Sequence, residues 1–456
     1  MTSPGWLAAT LPVRALATAS VEAVRAAAIR AGATGPVVTA ATDPERVAAA
    51  FGSERLFRDG GSGAEAFAPL SGFFAAEDGW LRTHANYPHH RDRLLRILGL
   101  AEADRATLAA AIASRSAAEL EDLAADAGAI AVRARTEAEW RASAPGTAAA
   151  AGPLVRRAVR GDPADDTMHD ETAGDGPASG QAEGRRPPGG PLPLAGVRVL
   201  DLTRVLAGPV CGRTLALLGA DVLRLDPPFL PEIAWHHLDT GQGKRSALLD
   251  LRAEARRAQE LLDAADVLLT GYRPGAIEAF DLRPSPGLIR AWLSAWGDDG
   301  LWAGRRGFDS IVQAASGMWL IESRDGTTPG ALPAQALDHS TGYFLAAAVI
   351  DALVARGADG RGRDLSAALA RTATWLLDAP GRDPDHPPPT PATARAAVTH
   401  TIAAHNPATP DPAADAAGTH AVGTHGTRTT ARPAIPGFDD YPFPAHAWGS
   451  DPATFG

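Results

Sequence analysis

Val197-Arg198-Val199-Leu200-Asp201-Leu202-Thr203-Arg204-Val205-Leu206-Ala207-Gly208-Pro209 is an apolar, β-branched run that ends in a polar turn and resumes at a proline. The run predicts a strand over 197–202, and a helix with proline in its first turn over 209–218. The pattern repeats downstream. Strands are expected at 222–225, 267–270 and 363–366, and a helix-to-strand passage at 288–296. Helices are expected at 252–264, 308–318 and 341–356. Alternation of this kind predicts an α/β fold on a doubly wound parallel sheet of nucleotide-binding type, here spanning 193–378. Ligands of such sheets lie beyond the carboxyl ends of the strands.

Residues 66–143 predict a smaller α+β domain, with Asp78-Gly79-Trp80 turning into a strand and a helix opening at Pro88. Residues 144–192 and 379–433 are rich in Ala, Gly, Pro and Thr without periodicity, so they read as a disordered linker and a low-complexity tail. Aromatic residues in 434–456 suggest a segment that packs back onto the body. Residues 1–65 read as a degenerate partial module. Arg14 to Ile29 lines up with Gln335 to Ile350, and Ala17 falls where the other copy has Asp338.

With 456 residues, 45% of them apolar, the chain can bury a large core. A net charge of −10 argues against a nucleic-acid partner. Cys211 is the single cysteine, which leaves no internal disulfide and no cysteine metal cluster. The first residues show no basic region followed by an apolar run, and the apolar stretch from Tyr343 meets Asp351 short of a membrane-spanning length. A cytoplasmic protein without a membrane partner is the expectation.

Asp338 closes the irregular stretch Pro333-Ala334-Gln335-Ala336-Leu337, and a strongly apolar helix follows. It reads as an N-cap, held ionised by free N–H groups and the helix dipole. The same setting suits a nucleophilic carboxylate at the edge of a cleft. Gly241-Gln242-Gly243-Lys244-Arg245-Ser246 reads as a solvated basic turn or as a phosphate clamp. Tyr272-Arg273-Pro274-Gly275 could hold a purine and a phosphate, or form a rigid turn. No GxGxxG follows the first strand, which disfavours a nicotinamide cofactor. His84, His89 and His90 read as a polar helix start rather than as metal ligands.

The order of these runs resembles the family III CoA-transferases. It is carried by Pro193 to Thr203, Ala207-Gly208-Pro209, Leu218 to Val222, Gly243 to Ser246, Arg273-Pro274-Gly275, Phe308-Asp309 with Gln313 to Gly317, Asp338, and Gly360 to Arg363. The small domain precedes the larger one here, so the chain looks like a fused or rearranged tandem form. The resemblance implies a CoA-transferase with no resident cofactor, whose substrates are an acyl-CoA thioester and a carboxylic acid. It implies an interlocked homodimer, or one chain that mimics it. Asp338 matches the catalytic aspartate. Arg204, Val205, Leu206, Ala207, Lys244, Arg245, Tyr272, Arg273 and Phe308 match positions near CoA. Gly271 and Ala279 replace residues that usually help grip CoA, and Gly60-Gly61-Ser62-Gly63 is the candidate for the family's glycine-rich loop. Phe308 stands where the related racemases carry a proton-transferring histidine. An acyl-CoA racemase or a non-catalytic CoA-binding protein are the alternatives.

Overall fold

The first strand forms over Arg198–Leu202 in the computed structural model, which describes residues 5–161, 187–271, 278–402 and 426–456. Its side chains feed two cores. Val199 joins Val267, Leu269 and Ile289 on one face. Leu200 and Leu202 join Leu223, Leu225 and Leu268 on the other. A strand buried on both faces needs helices on both sides. Ala255–Ala264 covers one face with Ala258, Leu261 and Leu262. Ala207–Leu217 and Ala336–Asp359 cover the other.

Among the described residues the sheet has seven strands. Their order is Val155–Val159, Arg363–Ala368, Ile289–Ser294, Val267–Thr270, Arg198–Leu202, Asp221–Asp226, Arg245–Leu248. All neighbours are parallel except the Val155–Val159 edge, which runs antiparallel to Arg363–Ala368. Both edges correct the sequence reading. Val155–Val159 lies in the segment expected as a linker, and Arg245–Leu248 begins inside the expected basic turn. Each carries arginine, which an edge strand tolerates, so neither shows the unbroken apolar run of an inner strand. Ala144–Ala150, also within the expected linker, is a helix whose first turn is capped by Ser143.

A second, antiparallel sheet joins Gly72–Ala76, Gly79–Thr83 and Ala131–Arg133. With the helices Pro88–Ile97, Arg105–Ala113 and Ala117–Ala127 it encloses its own core of Phe74, Leu81, Leu94, Leu108, Ile112 and Leu120. A third sheet corrects the reading of 379–433 as a featureless tail. There Ala397–Ile402 pairs with Gly426–Ala431, which pairs in turn with Arg58–Asp59. Threonine at Thr399, Thr401, Thr427 and Thr429 suits this half-exposed ribbon.

The N-terminal helix Val13–Arg30 lies in the same core as the long helix Ala336–Asp359. Leu16, Ala17, Val21, Val24 and Ala28 are all sealed in it. The long helix is apolar enough by length and composition to cross a membrane, yet most of its residues are buried among other elements of the protein. Such all-round apolarity marks a central core helix. Gly342 in this helix meets the backbone of the loop after the first strand. A Cβ placed there would lie 2.3 Å from the Ala207 carbonyl oxygen and 3.0 Å from Val210 Cβ. Gly342→Ala is therefore expected to cost about 1–3 kcal/mol by overpacking. Gly271→Ala, with nothing within 4 Å, should stay within about 0.5 kcal/mol of the parent. Urea unfolding of the two variants checks the contrast.

Candidate active site

The long helix begins at Ala336, so Asp338 sits inside its first turn, and the residue before the helix, Gln335, makes no side-chain cap. The open N–H groups are met from elsewhere. Leu337 N–H and Asp338 N–H donate to Asp309 Oδ2 at 2.8 and 3.0 Å. Asp309 opens the helix Asp309–Ala315, and Gln313, one turn on, donates from Nε2 to Asp309 Oδ1. Gln313 Oε1 accepts from Leu332 N–H at 2.9 Å, which ties the approach to the long helix into the same network. Asp309, and not Asp338, is thus the cap.

This changes the charge state expected of Asp338. Both acids are buried, Asp309 completely and Asp338 to 6% exposure. Burial pushes the Asp309 carboxyl up to about 6, against the pull of its N–H donors and of Arg82. Asp338 is pushed well above the ordinary carboxylate range, first by burial and then by the negative charge of Asp309. The hydrogen bonds decide between the two. Asp309 receives three N–H donors and keeps the charge, so the pair's proton resides on Asp338.

The loop after the first strand lies against this helix through the Ala207–Gly342 contact. Val205 there has φ = 70°, a left-handed conformation that a β-branched residue adopts only under constraint. Two of the loop's N–H groups are engaged within the protein. Thr203 N–H goes to Asp201 Oδ1 at 2.9 Å and Val205 N–H to Glu232 Oε2 at 2.9 Å. Arg204 donates to the Pro231 carbonyl at 2.7 Å and stands over the Tyr87 ring of the small domain. Leu206 and Ala207 are buried at the start of the following helix.

The two cations read as a clamp separate. Lys244 is fully buried, with Nζ 3.0 Å from Asp201 Oδ2 and 3.2 Å from the Pro209 carbonyl. Arg245 reaches instead to Asp221, at the amino end of its strand, and to the Thr454 carbonyl. Consecutive residues entering a strand point to opposite faces. Neither cation is free to grip a phosphate as the sequence suggested. Tyr272 and Arg273 lie outside the described residues. Phe308 stacks on His84 at 3.9 Å between ring centroids, joining the small sheet to the helix of Asp309. His90, at the start of its helix, is held down to about 3 by burial and neighbouring cations. Among the described residues no group of His, Cys, Asp or Glu could hold a metal.

A cavity of about 790 Å³ opens beside the start of the long helix. Ala334 and Gln335 line it, with Ser310 and Gln313 from the helix of Asp309 and Arg82 from the small sheet. Gly63, from the stretch read as a glycine-rich loop, is part of its wall. Glu54 stands on another wall, its carboxyl pushed up to about 7 by burial. Sequence reasoning assigned no role to Asp309, Arg82 or Glu54. A cation between Leu81 and Thr83 in a short apolar strand was the one available signal for Arg82.

Residues 194–404 match CoA-transferase family III. A probable fatty acyl-CoA transferase of Mycobacterium tuberculosis is 33% identical over 232 residues, 44% of this chain and 59% of that one. The beta subunit of succinyl-CoA–L-malate CoA-transferase from Chloroflexus aurantiacus is 34% identical over 203 residues, 39% of this chain and 49% of that one. A crystal structure of a CAIB/BAIF family protein from Brucella suis shares 27% identity over 41% of this chain and 55% of that one, with a TM-score of 0.38. The chain spans about half the length of the curated relatives it matches. Over this segment the chain is similar to CoA-transferase family III.

Two stability measurements test the site as described. Lys244→Met strands the buried Asp201 carboxylate and should cost roughly 3–5 kcal/mol. Adding Asp201→Asn should recover much of it, whereas a lysine that only touched ligand would leave stability unchanged. The second concerns the acid pair. A raised carboxyl favours the folded state while protonated, and this advantage is lost as pH rises from about 4 through the folded value. Asp338→Asn should therefore match the parent near pH 4 and exceed its stability at pH 8 by on the order of 1–3 kcal/mol. A stability difference that does not change with pH would refute the coupled pair.

Proposed function

We propose that the chain transfers coenzyme A from an acyl-CoA thioester to a carboxylic acid, with Asp338 as nucleophile. The observation that carries this reading is the buried Asp309–Asp338 pair, set at the start of a helix whose approach, Ala334 and Gln335, lines a cavity. Structural carboxylates are rarely placed side by side without a cation between them, and perturbed acids in a cleft mark functional sites. Ionised Asp338 attacks the thioester carbonyl, the C–S bond breaks, and a mixed anhydride forms as CoA leaves as thiolate. The thiolate then attacks the Asp338 carbonyl, releasing the first acid and leaving an aspartyl-CoA thioester. The acceptor carboxylate attacks that thioester, CoA leaves again, and the returning thiolate takes the new acyl group and frees Asp338. A raised pKa suits this role, because the anion of a weaker acid is the better nucleophile once its proton has gone.

Cys211 offers no competing nucleophile, being sealed in the core with its thiol pushed up by burial. A racemase would need a proton-transferring base on each face of the substrate carbon, and Phe308 flanks Asp309 on one side. The packing of the Val13–Arg30 helix, with Ala17, against the helix of Asp338 supports reading the chain as supplying both halves of an interlocked pair. Such a chain has one working acid. The named relatives act on fatty acyl-CoA or on succinyl-CoA and malate, and these are the donors and acceptors to try first.

Incubation with a panel of acyl-CoAs should give a protein mass increased by one CoA less one water, mapped to Asp338 and converted to a hydroxamate by hydroxylamine. The rate of capture should rise with pH as Asp338 loses its proton. Asp309→Asn, which removes the neighbouring charge, should move that rise to lower pH. Full transferase turnover in Asp338→Ala would end the proposal.

A further inference from the structure

The cavity wall carries a cation that, among the described residues, no acid contacts. Arg82 lies on Gly79–Thr83, where Leu81 faces the small domain's core. Side chains alternate along a strand, so Arg82 points the other way, into the cavity wall. It is 6% exposed. No hydrogen bond or ion pair reaches its guanidinium from the described residues, and Nε is sealed from solvent without a partner. Phe67 and Phe73 stack on it, with the guanidinium carbon 4.8 and 5.2 Å from their centroids. Stacked rings hold a guanidinium flat and leave its N–H edge for a planar, two-toothed acceptor. The hydroxyl of Ser310 on the same cavity is also buried and unpartnered. The other charged groups of the wall are engaged elsewhere. Arg55 donates to the Pro333 carbonyl, Arg58 to the Arg55 and Phe57 carbonyls, and Glu54 stands 3.9 Å from Arg55.

A buried, unpaired cation is costly and is compensated when an anion joins it. We propose that Arg82 and Ser310 form a carboxylate subsite that holds the second, non-reacting carboxylate of a dicarboxylic acid. The reacting carboxylate is not the one bound there. Arg82 lies near enough to Asp309 for its charge to act on that acid, while Asp338 feels only burial and Asp309. A carboxylate clamped on Arg82 would also be a weak nucleophile. The cavity provides room for the short chain between the two ends, running past Gln313 and Gln335 toward the helix start.

This deepens the transferase reading, and binding tests it apart from chemistry. Titration calorimetry with glutarate and with butyrate should show the wild-type protein binding glutarate at least tenfold more tightly. Arg82→Gln should lose that preference, and its melting temperature without ligand should rise, because an unpaired buried charge has gone. Asp338→Asn should keep the glutarate preference, so the subsite can stand or fall whether or not Asp338 is the nucleophile. Equal binding of the two acids by the wild-type protein would overturn the subsite without any variant. So would an unchanged preference in Arg82→Gln.

Discussion

Two backbone N–H groups, those of Leu337 and Asp338, converge on one carboxylate oxygen of Asp309. A buried helix terminus must find partners for its open donors, and a carboxylate is a strong one because it also answers the helix dipole. Meeting that need with a residue from another helix has a consequence for charge. It fixes a second acid beside Asp338 and gives that acid the donors that would otherwise have favoured ionised Asp338. The proton therefore stays on the residue proposed as nucleophile. The neighbouring contacts serve the same geometry. Gln313 orients Asp309 and ties down Leu332, and Gly342 lets the constrained loop around Val205 close onto the helix.

The inner strands were legible because each is an apolar run with turn residues at its end, and the long helix because its apolarity persists over many turns. Asp338 was legible as an acid at a helix start. Its charge state was not, since the acid that caps the helix lies 29 residues away in sequence. The edges of the sheet escaped for a related reason. Arg156 and Arg157 interrupt Val155–Val159, and only pairing with Arg363–Ala368 shows that these five residues extend a sheet. Thr427 to Ala431 looked featureless because its two partners, Ala397–Ile402 and Arg58–Asp59, lie about thirty residues before it and near the other end of the chain.

Lys244 and Arg245 show why adjacency in sequence misleads at a site. Two neighbouring cations suggest a clamp, but a strand begins between them and sends them apart. One pairs with Asp201 inside the core and the other with Asp221 beside the chain's last residues. The opposite holds for Arg82. Nothing near it in sequence suggests a site, and its significance comes from what surrounds it in three dimensions. Two aromatic faces stand against it, a buried hydroxyl lines the same cavity, and among the described residues no acid contacts it.

The unpaired arginine and the acid pair are linked through Asp309. Arg82 lowers the proton affinity of Asp309 and so helps to leave the proton on Asp338. An anion seated on Arg82 cancels that pull, and it does so more at Asp309 than at Asp338, whose proton affinity Arg82 does not set. The three N–H donors to Asp309 stay in place, so an anion on Arg82 narrows the difference between the two acids without reversing it. The proton remains on Asp338, and its loss with rising pH is what supplies the anion for attack.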